Sequence, residues 1–186
     1  MADVSVRPAR PQDAERVARL QLATWREAYA DLLPAEALAV PEVEVAAVWL
    51  KAIEAPPTRL HRVLVAMDAD ELVGFAATQP ASDDDLAPGT VELATLVVQP
   101  RWGRRGHGSR LLAAAVDLWR QDGATVATSW VVEADHVMTS FLQAAGWDYD
   151  GLGRTLDTGP DTGPPTGPGN GVRVITQRRL HTTVTS

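Results

Sequence analysis

The segment from Leu96 to Leu112 constrains the fold more than any other part of this 186-residue chain. An apolar, β-branched run ends at Pro100, and a basic loop with three glycines and a leucine-rich amphipathic stretch follow. This order predicts a strand, a tight loop and a helix whose N-terminal N–H groups can bind an anion. Glycines lack the Cβ atoms that would hold a phosphate away from the backbone, and Arg104 and Arg105 add positive charge. The segment therefore suits a pyrophosphate-bearing ligand.

Other phosphate-binding loops have patterns that this segment lacks. A Walker loop needs Gly-Lys-Ser/Thr after its second glycine, and that triplet is not present here. A dinucleotide-binding fingerprint needs Gly-x-Gly-x-x-Gly near the start of a βαβ unit, and the glycines of this loop are spaced differently. Two alternatives stay open: a tight strand-to-helix turn with solvated arginines, and a nucleotide-binding protein that uses the same loop.

The segment resembles the acyl-CoA loop of the GNAT superfamily of N-acyltransferases. Val98-x-Pro100, Gly106-x-Gly108 and the leucine helix that follows match the strand, loop and helix of that family. One position departs, because the slot for Gln or Arg holds Gly103. Backbone amides form the phosphate cradle in this family, so the resemblance implies that the cradle persists and that a neighbouring arginine replaces the lost contact. The implied cofactor-binding residues are Leu96, Val97, Val98, Gly103, Arg104, Arg105, Gly106, His107, Gly108, Ser109 and Asp135.

Composition limits the compartment and the chemistry. The length suits one domain spanning residues 1–186. A net charge of −7 argues against a general nucleic-acid binder. The chain has no cysteine, which excludes disulfides, thiolate zinc sites and a cysteine acyl-enzyme, and no other metal-ligand spacing is evident. No run approaches the roughly 18 apolar residues of a membrane span, and the first residues lack a signal-peptide core. We therefore expect a cytoplasmic protein without membrane contact.

The hydrophobic pattern predicts elements in the order β, α, α, β, β, β, α, β, α, β, β. It predicts a first helix ending near Leu22, a second helical stretch from Trp25 to Leu33, and a helix starting at Ser109. Nine of the fifteen residues from Asp157 to Gly171 are Gly or Pro, which predicts a hairpin loop without regular structure.

Periodicity alone supports an α/β sandwich of strands and helices. The element order is also similar to that of the GNAT family over nearly the whole chain. The resemblance implies an α/β (α+β) fold whose mixed, mostly antiparallel sheet has about seven strands and is flanked by helices. It further implies that this sheet is splayed between strands four and five, with the pantetheine arm of acetyl-CoA in the opening.

Transfer of an acetyl group to an amine needs a base, because an amine with a pKa of about 10.4 is mostly protonated at neutral pH. Glu92 is the candidate base, because it lies on the fourth strand where many family members carry a catalytic glutamate; a solvent-facing strand glutamate is the alternative. The developing oxyanion needs an N–H donor, for which the family implies the backbone of Leu96 or Val97. The N–H of Val98 should pair with the pantetheine arm.

The predicted helix from Asp135 to Gly146 resembles the family pattern Asn-x-x-Ala-x-x-Phe-Tyr-x-x-x-Gly-Phe. Asp135 occupies the Asn slot, and a carboxylate cannot donate a hydrogen bond. Leu142 occupies the Tyr slot, which in many members protonates the thiolate, so the usual acid is missing. Thr139, one turn earlier, is a candidate that could hold a water; a plain helix-surface threonine is the alternative. His136 and bulk water are further proton sources.

The acceptor pocket of the family lies between its first two helices, where this chain carries Trp25 and Tyr29. Core packing is the alternative role for these aromatic side chains. The acidic run 83–85 could attract a cationic acceptor, although a solvated loop is the simpler interpretation, and His107 is expected to be exposed.

The sequence thus predicts an acetyl-CoA-dependent N-acetyltransferase that needs no metal and catalyses direct attack by a primary amine in a ternary complex. The alternative is a non-catalytic acyl-CoA-binding sensor or assembly module on the same fold. The acceptor is a small-molecule or protein amine, and a homodimer is compatible with the resemblance.

Overall fold

Buried apolar strands alternate with amphipathic helices, and the computed structural model describes residues 4–28, 38–160 and 172–184. The strands are β1 (Val4–Pro8), β2 (Arg62–Asp68), β3 (Glu71–Pro80), β4 (Val91–Val98), β5 (Val126–Val132), β6 (Asp148–Pro160) and β7 (Val172–Thr183). Within these described ranges the α-helices are α1 (Ala14–Ala28), α2 (Glu42–Glu54), α3 (His107–Gln121) and α4 (His136–Ala144). None of these helices is long and apolar enough to cross a membrane.

The seven strands form one mixed sheet in the order β1-β2-β3-β4-β5-β7-β6. Every neighbouring pair is antiparallel except β4 and β5, which pair in parallel only at Val91–Ala127 and Glu92–Thr128. Beyond that point the two strands diverge. The Ser129 hydroxyl donates to the Leu93 carbonyl oxygen at 2.9 Å where the divergence begins. The predicted seven-stranded sheet, splayed between its fourth and fifth strands, is confirmed.

A β-bulge in β4 changes which side chains face the core. Leu93 pairs with Thr78 whereas Thr95 pairs with Ala77, so Ala94 is an extra residue in β4. An extra residue shifts the alternation of side chains by one position. Leu93 and Leu96 therefore lie on the same face of the sheet, although they are three positions apart.

The core has two parts, one on each face of the sheet. Under α3 and α4, fully buried side chains include Leu93, Leu111, Trp119, Leu142 and Trp147. Under α1 and α2, a second cluster contains Val17, Leu20, Val65, Phe75 and Val97, with Trp49 packed against it. Helices on both faces account for the nearly continuous apolar runs of β2 and β3.

Three predicted helix boundaries are wrong: the end of the first helix near Leu22, the start of a second helix at Trp25, and the start of α3 at Ser109. Trp25 does not start a second helix, because the segment from Ala14 to Ala28 contains no Gly or Pro and forms one continuous helix; residues 29–33 of the predicted second helix lie outside the described residues. The α3 helix begins at His107 rather than Ser109, since Gly106 adopts a left-handed conformation with φ of 82° and serves as the N-cap.

The predicted loop 157–171 is partly strand. β6 continues to Pro160, with Asp157 opposite Val174 and Pro160 opposite Val172. β6 is the edge strand of the sheet, where a missing proline N–H leaves no neighbouring strand unsatisfied. The rest of the predicted loop, residues 161–171, lies outside the described residues.

Candidate active site

The divergence of β4 and β5 opens a cavity of about 860 Å³. Its walls are the 93–98 segment of β4, the loop that leads into α3, the 129–132 segment of β5 and the first two turns of α4. The end of α1 and the β6–β7 hairpin complete it on the other face of the sheet. This volume is in the range of about 300–1,000 Å³ that is typical of ligand pockets.

The glycine loop lies at one end of this cavity. Gly106 and Arg104 both have positive φ angles, 82° and 60°, and this bend aims the start of α3 at the opening. The first N–H groups of a helix have no acceptor within the helix, so those of Gly108 and Ser109 are available to an anion. The cofactor-binding residues predicted from the sequence that line the cavity are Leu96, Val97, Val98, Gly103, Arg104, Gly106, His107, Gly108, Ser109 and Asp135.

The two loop arginines have different environments. Arg104 lines the cavity. Arg105 does not, because its guanidinium stacks on the Trp102 ring at 4.8 Å from the centroid. Of the two candidates to replace the missing Gln or Arg contact, Arg104 is therefore the better placed.

His107 is not exposed, contrary to the expectation from the sequence: only 2% of its surface is accessible. It is the first residue of α3, four positions before the core residue Leu111, and this spacing puts both on the inward face. Its Nε2 lies 3.6 Å from the Asp68 carboxylate, and neither ring nitrogen has a hydrogen-bond partner among the described residues. Burial lowers the pKa of His107, opposed by Asp68 and reinforced by Arg110 and Arg105.

His107 is expected to make the protein less stable as the pH falls. The folded state holds its pKa below the unfolded value of about 6.5, so the unfolded chain binds the proton more readily. Its stabilising contribution is complete above about pH 6.5 and is lost as the pH falls below that value towards the folded pKa. Urea denaturation of His107→Leu between pH 7.5 and 5 should show a weaker pH dependence than the wild type. His136→Leu, at an exposed position, is the control. Equal pH dependence in all three proteins would contradict the assignment.

Glu92 lies at the point where β4 and β5 separate. It is only 8% exposed, so the solvent-facing alternative is wrong. Burial is the main influence on its pKa and raises it, while a hydrogen bond from Gln79 and the charge of Arg154 act in the opposite direction. Glu92 is not among the described residues that line the cavity.

The α4 helix presents a different face to the cavity than the one that the family pattern predicts. Asp135 caps the helix by accepting the Met138 N–H at 2.9 Å, as predicted, and it also lines the cavity. Leu142 is fully buried in the core, and Phe141 faces the cavity instead. Thr139 is half-buried and is not among the described lining residues. The i, i+3, i+6 spacing of Asp135, Met138 and Phe141 was the available signal for this face.

Trp25, which the family resemblance assigns to the acceptor pocket, is one of the residues that line the other end of the cavity. Tyr29 lies outside the described residues. Sequence reasoning missed Trp130 of β5 and the β6–β7 residues Leu156, Ile175 and Gln177, which also line the cavity. Their only sequence signal is β-strand alternation, which does not reveal which face is covered.

The acidic run 83–85 is neither a free binding site for a cation nor a fully solvated loop. Asp83 and Asp85 bind the buried guanidinium of Arg179, which also binds Asp150 at 2.5 Å. Asp83 additionally accepts the Trp130 indole N–H at 3.1 Å. Among residues 4–28, 38–160 and 172–184, no group of three or more His, Asp or Glu side chains is placed to hold a metal ion.

Comparison with known proteins agrees with this architecture. The model of the acetyltransferase (GNAT) family matches residues 17–147, which include the glycine loop and α4. No curated protein matches the chain at a significant level.

Solved structures of similar fold cover nearly the whole chain. PaiA N-acetyltransferase from Thermoplasma acidophilum, in complex with coenzyme A, is 16% identical with a TM-score of 0.70, over 97% of this chain and 99% of that one. YncA from Salmonella typhimurium, with acetyl-CoA, is 17% identical with a TM-score of 0.69, over 100% and 96%. Ribosomal-protein-alanine N-acetyltransferase from Brucella melitensis is 19% identical with a TM-score of 0.70, over 96% and 99%. At such low identities these structures establish the shared fold.

Proposed function

The chain belongs to the acetyltransferase (GNAT) family, and from this we propose that it transfers an acetyl group from acetyl-CoA to a primary amine by direct attack in a ternary complex. The observation that carries the proposal is one continuous cavity that joins the N-terminus of α3 to the opening between β4 and β5. A helix N-terminus suits the pyrophosphate, and an open strand edge suits the amide-containing pantetheine arm. The family match favours acetyl transfer over the non-catalytic alternative.

The backbone of β4 supplies the donors in the opening. The Gln99 N–H donates to the Val73 carbonyl oxygen on the β3 side. N–H groups of an antiparallel strand alternate in direction, so those of Leu96 and Val98 point away from β3 and into the opening. Leu96 N–H is then the better oxyanion donor than Val97 N–H, and Val98 N–H is the partner for the pantetheine arm.

Glu92 accepts the proton of the amine through a water. The amine nitrogen attacks the thioester carbon, and negative charge develops on the carbonyl oxygen near the Leu96 N–H. The carbon–sulfur bond then breaks, the coenzyme leaves as a thiolate, and the second proton that the nitrogen loses passes to water. Because Leu142 is in the core and Phe141 is apolar, neither replaces the usual tyrosine, and water is the proton source that we propose for the thiolate. Thr139 lies one helical turn before Leu142 and is not among the described residues that line the cavity.

Replacing Gly108 by Val is expected to weaken acetyl-CoA binding at least tenfold. A Cβ at this position would already contact the Phe141 ring at 3.5 Å and Leu96 Cδ2 at 3.7 Å, so the two methyl groups of Val would fill the space beside the first turn of α3. The measurement is calorimetric titration with acetyl-CoA. Ala113→Val, at an exposed position of the same helix, is the matched control. Unaltered affinity in a folded Gly108→Val protein would overturn the loop assignment.

We further propose that the whole chain is one domain, because one sheet contains strands from both ends of it. We also propose a cytoplasmic location, with which a chain that has no cysteine is consistent. The homodimer stays a prediction that sedimentation equilibrium can test.

A further inference from the structure

The part of the cavity opposite the glycine loop has its own chemical character. Val131 faces the core under α3, so its neighbour Trp130 projects from the other face of the sheet. Gln177 lies opposite both Val132 and Arg154, and Ile175 lies opposite Leu156, so these side chains share the face of Trp130. We call Trp25, Trp130, Leu156, Ile175 and Gln177 the acceptor end, with Trp25 contributed by α1.

Contacts with neighbouring side chains hold the Trp130 ring in place. Its indole N–H donates to Asp83, and the Arg154 guanidinium stacks on its ring at 4.3 Å from the centroid. Arg154 Nε in turn donates to Gln177 Oε1 at 2.6 Å. A ring held on one face and at its edge loses little conformational freedom when a ligand covers its remaining surface, which favours binding of a flat or branched apolar group.

Charge at the acceptor end argues against acceptors with many positive charges. Of the described residues that line the whole cavity, the carboxylates are Glu27 and Asp135, and Asp135 caps α4. Asp135 lies at the start of α4, on the opposite face of the sheet from α1, so Glu27 is the one carboxylate that the described residues place at the acceptor end. Arg154 and Arg179 lie 4.3 and 5.6 Å from the centroid of the Trp130 ring, and the three carboxylates that bind Arg179 do not line the cavity. A polyamine or an aminoglycoside would bring several ammonium groups to a wall where Glu27 is the one carboxylate among the described lining residues.

We propose that the acceptor is a monoamine whose body is aromatic or branched apolar, and that Trp130 sets this preference. The inference rests on the proposed function, because it concerns the amine that the acetyl group reaches. The apolar body lies against Trp130, Leu156 and Ile175, and the single amino group extends to the opening between β4 and β5. Trp130 is thus a specificity-determining residue for acceptor choice.

The test compares acceptors at saturating acetyl-CoA by following release of the coenzyme A thiol. The acceptors are phenethylamine, ethylamine, spermidine, kanamycin and a tetrapeptide with an N-terminal alanine. We expect kcat/KM for phenethylamine to exceed that of each other acceptor at least tenfold. Trp130→Ala should remove most of this preference, Trp130→Phe should keep most of it, and Tyr149→Ala, which removes an exposed aromatic side chain of the same sheet outside the cavity, should leave it unchanged.

The outcomes separate the two proposals. Turnover of spermidine, kanamycin or the peptide as good as that of phenethylamine would overturn the monoamine inference and leave the proposed function standing. An equal fall for every acceptor in Trp130→Ala, with acetyl-CoA titration showing an intact donor site, would overturn the role of Trp130. Absence of turnover with all five amines, with or without acetyl-CoA binding, would overturn the proposed function and this inference with it.

Discussion

Replacing Glu92 by Gln is expected to lower kcat at least a hundredfold while acetyl-CoA binding is unchanged. The substitution keeps the shape of the side chain and its hydrogen bonding to Gln79, but it removes the proton acceptor. Loss of a positioned general base typically costs about 10²–10⁴ in rate. Glu92 is at the junction of β4 and β5 and is not among the described residues that line the cavity. The affinity for acetyl-CoA should therefore stay the same.

The measurements are steady-state kinetics and calorimetric titration of the same preparations. Glu133→Gln is the control, because Glu133 is a half-exposed glutamate that pairs with Arg178 at the surface. The wild-type rate should fall as the pH drops through an apparent pKa above the ordinary glutamate value of 4.5, since burial raises the pKa of Glu92. That acidic limb should vanish in Glu92→Gln. An unchanged kcat, or a limb that persists, would remove Glu92 from the mechanism.

Replacing Arg179 by Leu is expected to reduce the free energy of unfolding by about 3–5 kcal/mol, the usual cost of breaking a buried ion pair from one side. Arg179 is 2% exposed and binds three carboxylates, of Asp83, Asp85 and Asp150. These hydrogen bonds hold its pKa above the ordinary arginine value. Without the guanidinium, the three carboxylates would face one another at the edge of a buried site.

Arg178→Leu is the matched control for this prediction. The neighbouring Arg178 is exposed and pairs with Glu133, and such surface pairs contribute at most about 1 kcal/mol. The two variants should differ in their urea denaturation midpoints, with similar slopes. A loss of stability no larger in Arg179→Leu than in Arg178→Leu would show that the acidic run does not depend on this arginine.

Elements determined by neighbouring residues could be predicted from the sequence. The strand, loop and helix around Gly106, and the helix cap at Asp135, follow from side chains within a few positions of one another. The order of elements then indicated the fold, and the splay of the sheet came from the family resemblance.

Features that depend on distant parts of the chain could not be predicted. The extension of β6 requires β7 as a partner, and His107 comes close to Asp68, at the end of β2, only in the folded chain. Arg179 meets an acidic run almost a hundred positions earlier, a contact that no local pattern contains. The acceptor end was missed for the same reason, because Trp130 and Gln177 come to the same face of the sheet only through the β5–β7 pairing.

The short pairing of β4 with β5 gives the sheet an internal edge. Strand edges elsewhere in proteins invite aggregation, but this one is enclosed by α3, α4 and the hairpin of β6 and β7. A ligand that bonds to this edge acts as a missing half-strand, so occupancy and folding are thermodynamically linked. At a concentration one hundred times its Kd, such a ligand adds about 2.7 kcal/mol to the stability of the fold. The resistance of this protein to unfolding should therefore follow the supply of its acyl donor.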